Sequence, residues 1–327
     1  MGEAHTKSGS RHTATRRTVL IAGAANIIVG VTKLVAGILS GSSAMLAETA
    51  HSAADTLNQG FLLASVHQGE RPADRGHPFG YGQERYFWSL LAAFGIFIAG
   101  AGFSIFEGIL ALTHAGSESP LIAYVALAVA FVAEGTSFVR AYRQMRGEAR
   151  QGHRDLLEHM ESSPDTTVKT ALFEDSAAVI GLVLAAIGVG LRQLTGSPVW
   201  DGGASIAIGV LLIVVAVKLG LDSRDLLIGR AADPRLQELI RREIQRTAGV
   251  DDLLELQTMH LGPDTLIVAA RVALDDDITV AQAEDLADGI DQRLSSRLPQ
   301  ALHVFVDPTQ TAGTPRNDSG SERAKPG

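Results

Sequence analysis

Residues 170–188 read TALFEDSAAVIGLVLAAIG. The run is apolar and long enough to cross a bilayer, which takes about 20 such residues in a helix. Yet Glu174 and Asp175 stand inside it. A carboxylate at mid-bilayer costs about 2.5–3.5 kcal/mol on insertion scales. A second apolar stretch is interrupted in the same way, by His51-Ser52-Ala53-Ala54-Asp55. His51 and Asp55 are four apart, so on a helix they share one face. Imidazole nitrogen and carboxylate oxygen are donors for zinc and similar divalent ions. The two clusters predict one buried metal site, built from His51, Asp55, Asp175 and Glu174, at the centre of a membrane transporter.

Working outward, six stretches have spanning character, near 18–40, 44–67, 86–112, 120–142, 169–192 and 200–220. Short turns join the first to the second (Gly41-Ser42-Ser43), the third to the fourth (HAGSESP) and the fifth to the sixth (LTGSP). The longer connections carry the basic residues: Arg71, Arg75 and Arg85 in one, Arg143, Arg146, Arg150 and Arg154 in the other. The N-terminal segment adds Lys7, Arg11, Arg16 and Arg17, whereas the short turns have only Arg192. The positive-inside rule therefore predicts both termini in the cytoplasm, which an even number of spans also requires. The first 17 residues read as a disordered tail without a signal or transit peptide, so a cell membrane is expected.

After Arg224 the composition becomes that of a soluble domain. PRLQELIRREIQRTA (234–248) reads as an amphipathic helix opened by proline. LLELQTMHL and TLIVAARVAL read as strands about a Gly262-Pro263-Asp264 turn. Residues 279–298 read as a helix with Thr279 as N-cap and Glu284 in its first turns, and LHVFV (302–306) as a third strand. The order α-β-β-α-β predicts a small α+β domain of ferredoxin-like type. The expected organisation is a tail (1–17), a six-helix membrane domain (18–228), a cytoplasmic α+β domain (229–308) and a second disordered tail (309–327).

Composition narrows the function. The 327 residues carry a net charge of −8, which provides no basic surface for nucleic acid. There is no cysteine, which excludes thiolate metal sites, disulfides and a cysteine nucleophile. Glu134 stands in the middle of the fourth stretch, beside Thr136 and Ser137, where it either gates protons or accepts hydrogen bonds from other helices. Lys33 is expected to snorkel outward. Asn58 and Gln59 either line the path or bridge helices.

Several stretches together resemble the cation diffusion facilitator family of divalent-metal/proton antiporters. SGSSAMLAETAHSAADTLNQG (40–60) is similar to its second-helix motif, and HPFGYGQERY (77–86) to its connection before the third helix. The detail looks closest to the branch of the ninth mammalian zinc transporter, which shares HSxxDTxNQG and EDxAAVxG. The resemblance implies that His51 and Asp55 are ligands from the second helix. On the fifth helix the usual pattern is HxxxD: Asp175 aligns with its Asp, and Ala171 stands where its His would be. The fourth position is open between Glu174 and water. Adjacent helical residues point about 100° apart, so Glu174 and Asp175 bind one ion only with a local distortion. The resemblance also implies a weak or absent accessory site at Asp74 and His77, with Tyr81 in the place of a further His. In the C-terminal domain Asp307, with His260 and His303 nearby, is the counterpart of a site not expected to be filled.

The implied activity is export of zinc, or a similar ion, from the cytoplasm by alternating access in exchange for protons. The implied assembly is a homodimer in the lipid bilayer, with no prosthetic group. Metal and protons compete for the same lone pairs, which supplies the coupling. Two other classes use the same residues. An intramembrane metallohydrolase would place water in the open fourth position, but the chain has neither HExxH nor GxSxG. A membrane-bound metal sensor or scaffold would bind without flux, and would not need six spans with a polar centre.

Overall fold

The computed structural model describes residues 27–113, 120–151, 155–156, 160, 166–275, 278–298 and 301–309. The first expected tail, the second except Thr309, and His153 and His159 lie outside the described residues. The chain divides into two compact units, Met1–Arg230 and Ala231–Gly327.

Among the described residues of the first unit the regular structure is all helical. Helix α1 covers Ile27–Ser40. Gly41 then turns the chain with a φ of 72°, a conformation that glycine adopts without steric cost. Helix α2 (Ser43–Gly69) opens with Ser42 as N-cap, its hydroxyl accepting from the Met45 amide. Helix α3 (Glu84–Gly95) runs through a wider π-helical stretch, Ile96–Gly102, into α4 (Phe103–Thr113). Helices α5 (Pro120–Gln151), α6 (Thr166–Thr195) and α7 (Val199–Leu227) follow.

Among the described residues four helical segments are long and apolar enough to cross a membrane: Glu84–Leu112, Leu121–Arg150, Lys169–Thr195 and Val199–Leu227. The chain is therefore a membrane protein with a helical membrane part. Helix α2 is as long, but its polar residues dilute its apolar character; the described part of α1 is shorter. Helix α5 continues past residue 142, where the apolar stretch ends, and carries the arginine run on further helical turns.

Small residues set the packing. A Cβ on Gly108 of α4 would lie 2.8 Å from the Gly202 carbonyl oxygen on α7, and one on Gly202 equally near that of Gly108. Only glycine permits so close a backbone approach. The bundle interior holds Ala44, Met45, Ala47, Leu182, Ile208 and Leu212, while Ile28, Ile38, Ile98, Val132 and Val214 face outward. An apolar exterior around a small-residue interior suits a lipid solvent.

The second unit has the expected order of elements. Helix α8 (Pro234–Gln245) is capped by Asp233, whose carboxylate accepts from the amides of Arg235 and Leu236. Strand β1 (Val250–Gly262) pairs antiparallel with β2 (Thr265–Leu274), and β2 pairs parallel with β3 (Ala301–Thr309), giving the sheet order β1-β2-β3. Helix α9 (Val280–Arg297) begins at a capping box in which Thr279 and Gln282 satisfy each other's backbone amides. Thr279 is thus the N-cap, and its reciprocal partner is Gln282 at the third helical position. Ile240, Ile244, Leu266, Val268, Val272, Ile290 and Leu294 form the core of this small α/β unit.

Candidate metal site

Helix α2 presents Glu48, His51, Asp55 and Asn58 at successive spacings of three, four and three, which is one helical face. His51 is 2% exposed, and Asn58 is buried. The Nε2 atom of His51 lies 3.4 Å from Oδ2 of Asp55. This atom nevertheless has no hydrogen-bond partner.

Helix α6 brings the two acids. Glu174 Oε2 accepts from Asn58 Nδ2 of α2 at 2.6 Å. Asp175 Oδ2 accepts from the Ser137 hydroxyl of α5 at 3.0 Å. The neighbouring carboxylates are thus held by two different helices, as side chains about 100° apart must be. The second oxygen of Glu174, Oε1, is buried and has no partner. The carboxyl groups of Asp55, Glu174 and Asp175 lie within one another's electrostatic reach.

His51 and Asp55 are therefore brought together, and Glu174 is drawn toward their helix. Asp175 is turned to α5. Among the described residues no three His, Asp or Glu side chains converge closely enough to hold a metal ion. What the geometry offers is a set of buried donors with unsatisfied atoms, Nε2 of His51 and Oε1 of Glu174. An unpaired buried polar atom costs about 1–3 kcal/mol, so each gains by accepting a cation. A cavity of about 60 Å³ lies against Glu174, lined also by Asn58, Gln59, Trp88, Ser89 and Ala171. It is large enough to admit water.

Lys33 does not snorkel. It is 1% exposed, and its Nζ sits 3.2 Å from Glu48 Oε2 and 3.2 Å from Glu134 Oε1. Two carboxylates on separate helices attract the ammonium inward more strongly than the distant headgroup region does. Of the two roles open to Glu134, accepting a hydrogen bond from another helix is the one seen. Glu48 was not singled out by the sequence reasoning, although its place three residues before His51 on one face was a usable signal. Asp201 was also missed. It is fully buried, and its carboxylate accepts from the Ser42 and Ser43 hydroxyls and from the Ser43 and Ala44 amides. An acid from α7 thereby satisfies the first turn of α2, where free amides and the helix dipole favour negative charge.

Outside the bundle, Asp74 and His77 sit in the loop between α2 and α3. Asp74 Oδ1 accepts from the amides of Gly76 and His77 at 2.8 Å each, and Oδ2 accepts from the Tyr81 hydroxyl at 2.8 Å. The Tyr81 hydroxyl, then the His77 amide, hold the Asp74 carboxyl below its ordinary pKa. Arg71 lies 4.1 Å over the Tyr81 ring. Both Asp74 oxygens already organise the loop. In the second unit, Asp307 accepts from Arg271 Nε at 3.0 Å, and His260 is buried.

Residues 19–228 match the cation efflux transmembrane domain, and residues 232–308 match the cytoplasmic domain of cation efflux proteins. The Xenopus laevis protein named "Proton-coupled zinc antiporter SLC30A9, mitochondrial" is 35% identical over 260 residues, covering 79% of this chain and 46% of that one. Its Homo sapiens namesake is 30% identical over 295 residues, covering 89% and 52%. The chain thus spans about half the length of these relatives. "Manganese efflux system protein MneP" of Bacillus subtilis is 25% identical over 299 residues, covering 91% and 97%. Among solved structures, the C-terminal domain of the magnetosome protein MamB from Desulfamplus magnetovallimortis covers 24% of this chain and 98% of its own, at 19% identity and a TM-score of 0.23.

Proposed function

The chain belongs to the cation efflux family, a family of transporters and not of enzymes, and from that premise we propose that it exports a divalent metal ion, zinc in the first instance, in exchange for protons. The observation that carries the proposal is the buried face of His51 and Asp55 on α2, opposite Glu174 and Asp175 on α6, with donor atoms left unsatisfied inside the bundle. His51, Asp55 and Asp175 bind the ion, and Glu174 completes the set through Oε1, the oxygen that Asn58 leaves free.

When deprotonated, these groups hold a dication and cancel its charge. When protonated, they release it, because both cations need the same lone pairs. Alternating access then follows from rocking of the helices about the site, with six spans and both termini in the cytoplasm. The second unit joins two copies into a homodimer. The cell membrane is the proposed location; the mitochondrial designation belongs to the relatives that carry it. The oxygen-rich donor set also accepts manganese, which the name of the Bacillus subtilis relative mentions for that protein. Metal uptake into proteoliposomes, with zinc and manganese in parallel and an imposed pH gradient, tests the reading; absence of flux for both ions in folded protein overturns it.

A further inference from the structure

The cavity beside Glu174 is lined from three helices, by Gln59 and Ser65 of α2, Trp88 of α3, and Thr170 and Ala171 of α6 among others. It lies toward the end of the bundle that carries the α2–α3 loop. Ser65 is four residues from the end of α2, Trp88 four from the start of α3 and Thr170 four from the start of α6. Each is therefore about 6 Å inside its helix end, at 1.5 Å per residue. Two buried atoms of opposite polarity belong to residues of these walls. Trp88 Nε1 is a donor and Glu174 Oε1 an acceptor, and neither has a hydrogen-bond partner among the described residues. Stacking on Phe61 of α2, with ring centroids 6.0 Å apart, holds the indole in place.

A buried donor or acceptor without a partner costs about 1–3 kcal/mol. Water relieves both at once, because it accepts from an indole N–H and donates to a carboxylate oxygen. The cavity, of about 60 Å³, admits water and adds the polar side chains of Gln59, Ser65 and Thr170 as further partners. Ala171 makes the room. It stands three residues before Glu174 on the same face of α6, so a longer side chain there occupies the cavity.

We propose that Trp88 is a positioning residue for Glu174, acting through water held in this cavity, and that the small side chain of Ala171 keeps the water's place open. Glu174 is then fixed at both oxygens, by Asn58 at Oε2 and by the water at Oε1. A carboxylate oxygen has two lone pairs, so Oε1 keeps the water with one and takes the ion with the other. This inference rests on the reading of Glu174 as a metal ligand and goes beyond it in naming what aims that ligand.

The test is zinc affinity of the full chain in lipid nanodiscs, measured by equilibrium dialysis with zinc alone as probe. Trp88→Phe keeps an aromatic ring and removes the N–H, and Ala171→Leu fills the cavity. Each is expected to weaken zinc binding about tenfold, the scale for losing an outer partner of a metal ligand. Both act through the same water, so the double variant is expected to bind no more weakly than Ala171→Leu alone, whereas two independent packing defects would multiply. The chain has two tryptophans, and Trp200→Phe leaves Trp88 as the only one. In that background, without zinc, Ala171→Leu is expected to shift the Trp88 emission to the blue as water leaves the indole. Unchanged zinc affinity in Trp88→Phe, multiplied losses in the double variant, or emission unmoved by Ala171→Leu each overturns the proposal. If Ala171→Leu does not fold, Ala171→Val replaces it in every comparison, and if neither folds, the affinity of Trp88→Phe decides. Wild-type protein that binds no zinc while the emission shift is present contradicts the metal reading and leaves the water contact of Trp88 standing.

Discussion

Asn58 Nδ2 lies 2.6 Å from Glu174 Oε2, and this contact ties α2 to α6 immediately beside the proposed ligands. The amide holds one carboxylate oxygen and leaves the other idle. Asn58 is thus the residue that decides where Glu174 points.

Asn58→Ala removes that hold. Losing a partner that orients a metal ligand typically costs 10–100-fold in affinity. The zinc concentration for half-maximal transport is expected to rise by about tenfold. Asn58→Asp places a second negative charge against Glu174 and is expected to impair transport further. Zinc dependence of uptake for the three proteins checks both statements.

Gly181→Ala acts on Glu48. A Cβ at this position meets Glu48 Oε1 directly, so the carboxylate or α6 must move. Overpacking of this kind costs about 1–3 kcal/mol. The expected outcome is a lower melting temperature in detergent, with Gly181→Val lower still.

Asp201→Ala strips four acceptor contacts from the first turn of α2. Arg192 Nη1, 3.7 Å from Oδ2, loses that ion-pair contact as well. Breaking a buried charged arrangement by removing one side costs about 3–5 kcal/mol. Denaturation of the purified protein is expected to shift accordingly, and Asp201→Asn to recover part of the loss.

The loop at Asp74 carries a pH dependence of defined sign. Its carboxyl is held below the ordinary value, so ionised Asp74 favours the folded loop. That contribution is present above the usual carboxylate value of about 3.9 and is lost as pH falls through the folded value below it. Amide exchange at Gly76 and His77 should therefore stay slow at neutral and mildly acidic pH and speed up only in stronger acid. Tyr81→Phe, which removes the principal hydrogen bond, should move that onset toward higher pH.

The sequence carried the local features well. Spacing of four put His51 beside Asp55, and adjacency predicted that Glu174 and Asp175 face different neighbours, here Asn58 and Ser137. The strand and helix order of the second unit followed from alternation, turn residues and the Thr279 cap. What could not be read was direction toward partners distant in the chain. Lys33 looked free to reach the headgroups because Glu134 lies 101 residues away. Asp201 looked unremarkable because the amide it caps is 158 residues earlier. The extension of α5 to Gln151 was also hidden, because apolar character ends before the helix does. Periodicity reports a face, and only the packed helices report what that face meets.

The most direct measurement is zinc flux into proteoliposomes with an imposed pH gradient, comparing wild type with His51→Ala, Asp55→Ala, Asp175→Ala and Glu174→Gln. Gradient-driven flux in wild type, lost in the first three variants and reduced in the fourth, is the predicted result. Flux that persists without Asp55 and Asp175, or no flux of any divalent ion through folded wild-type protein, would contradict the proposed site or the transport reading itself.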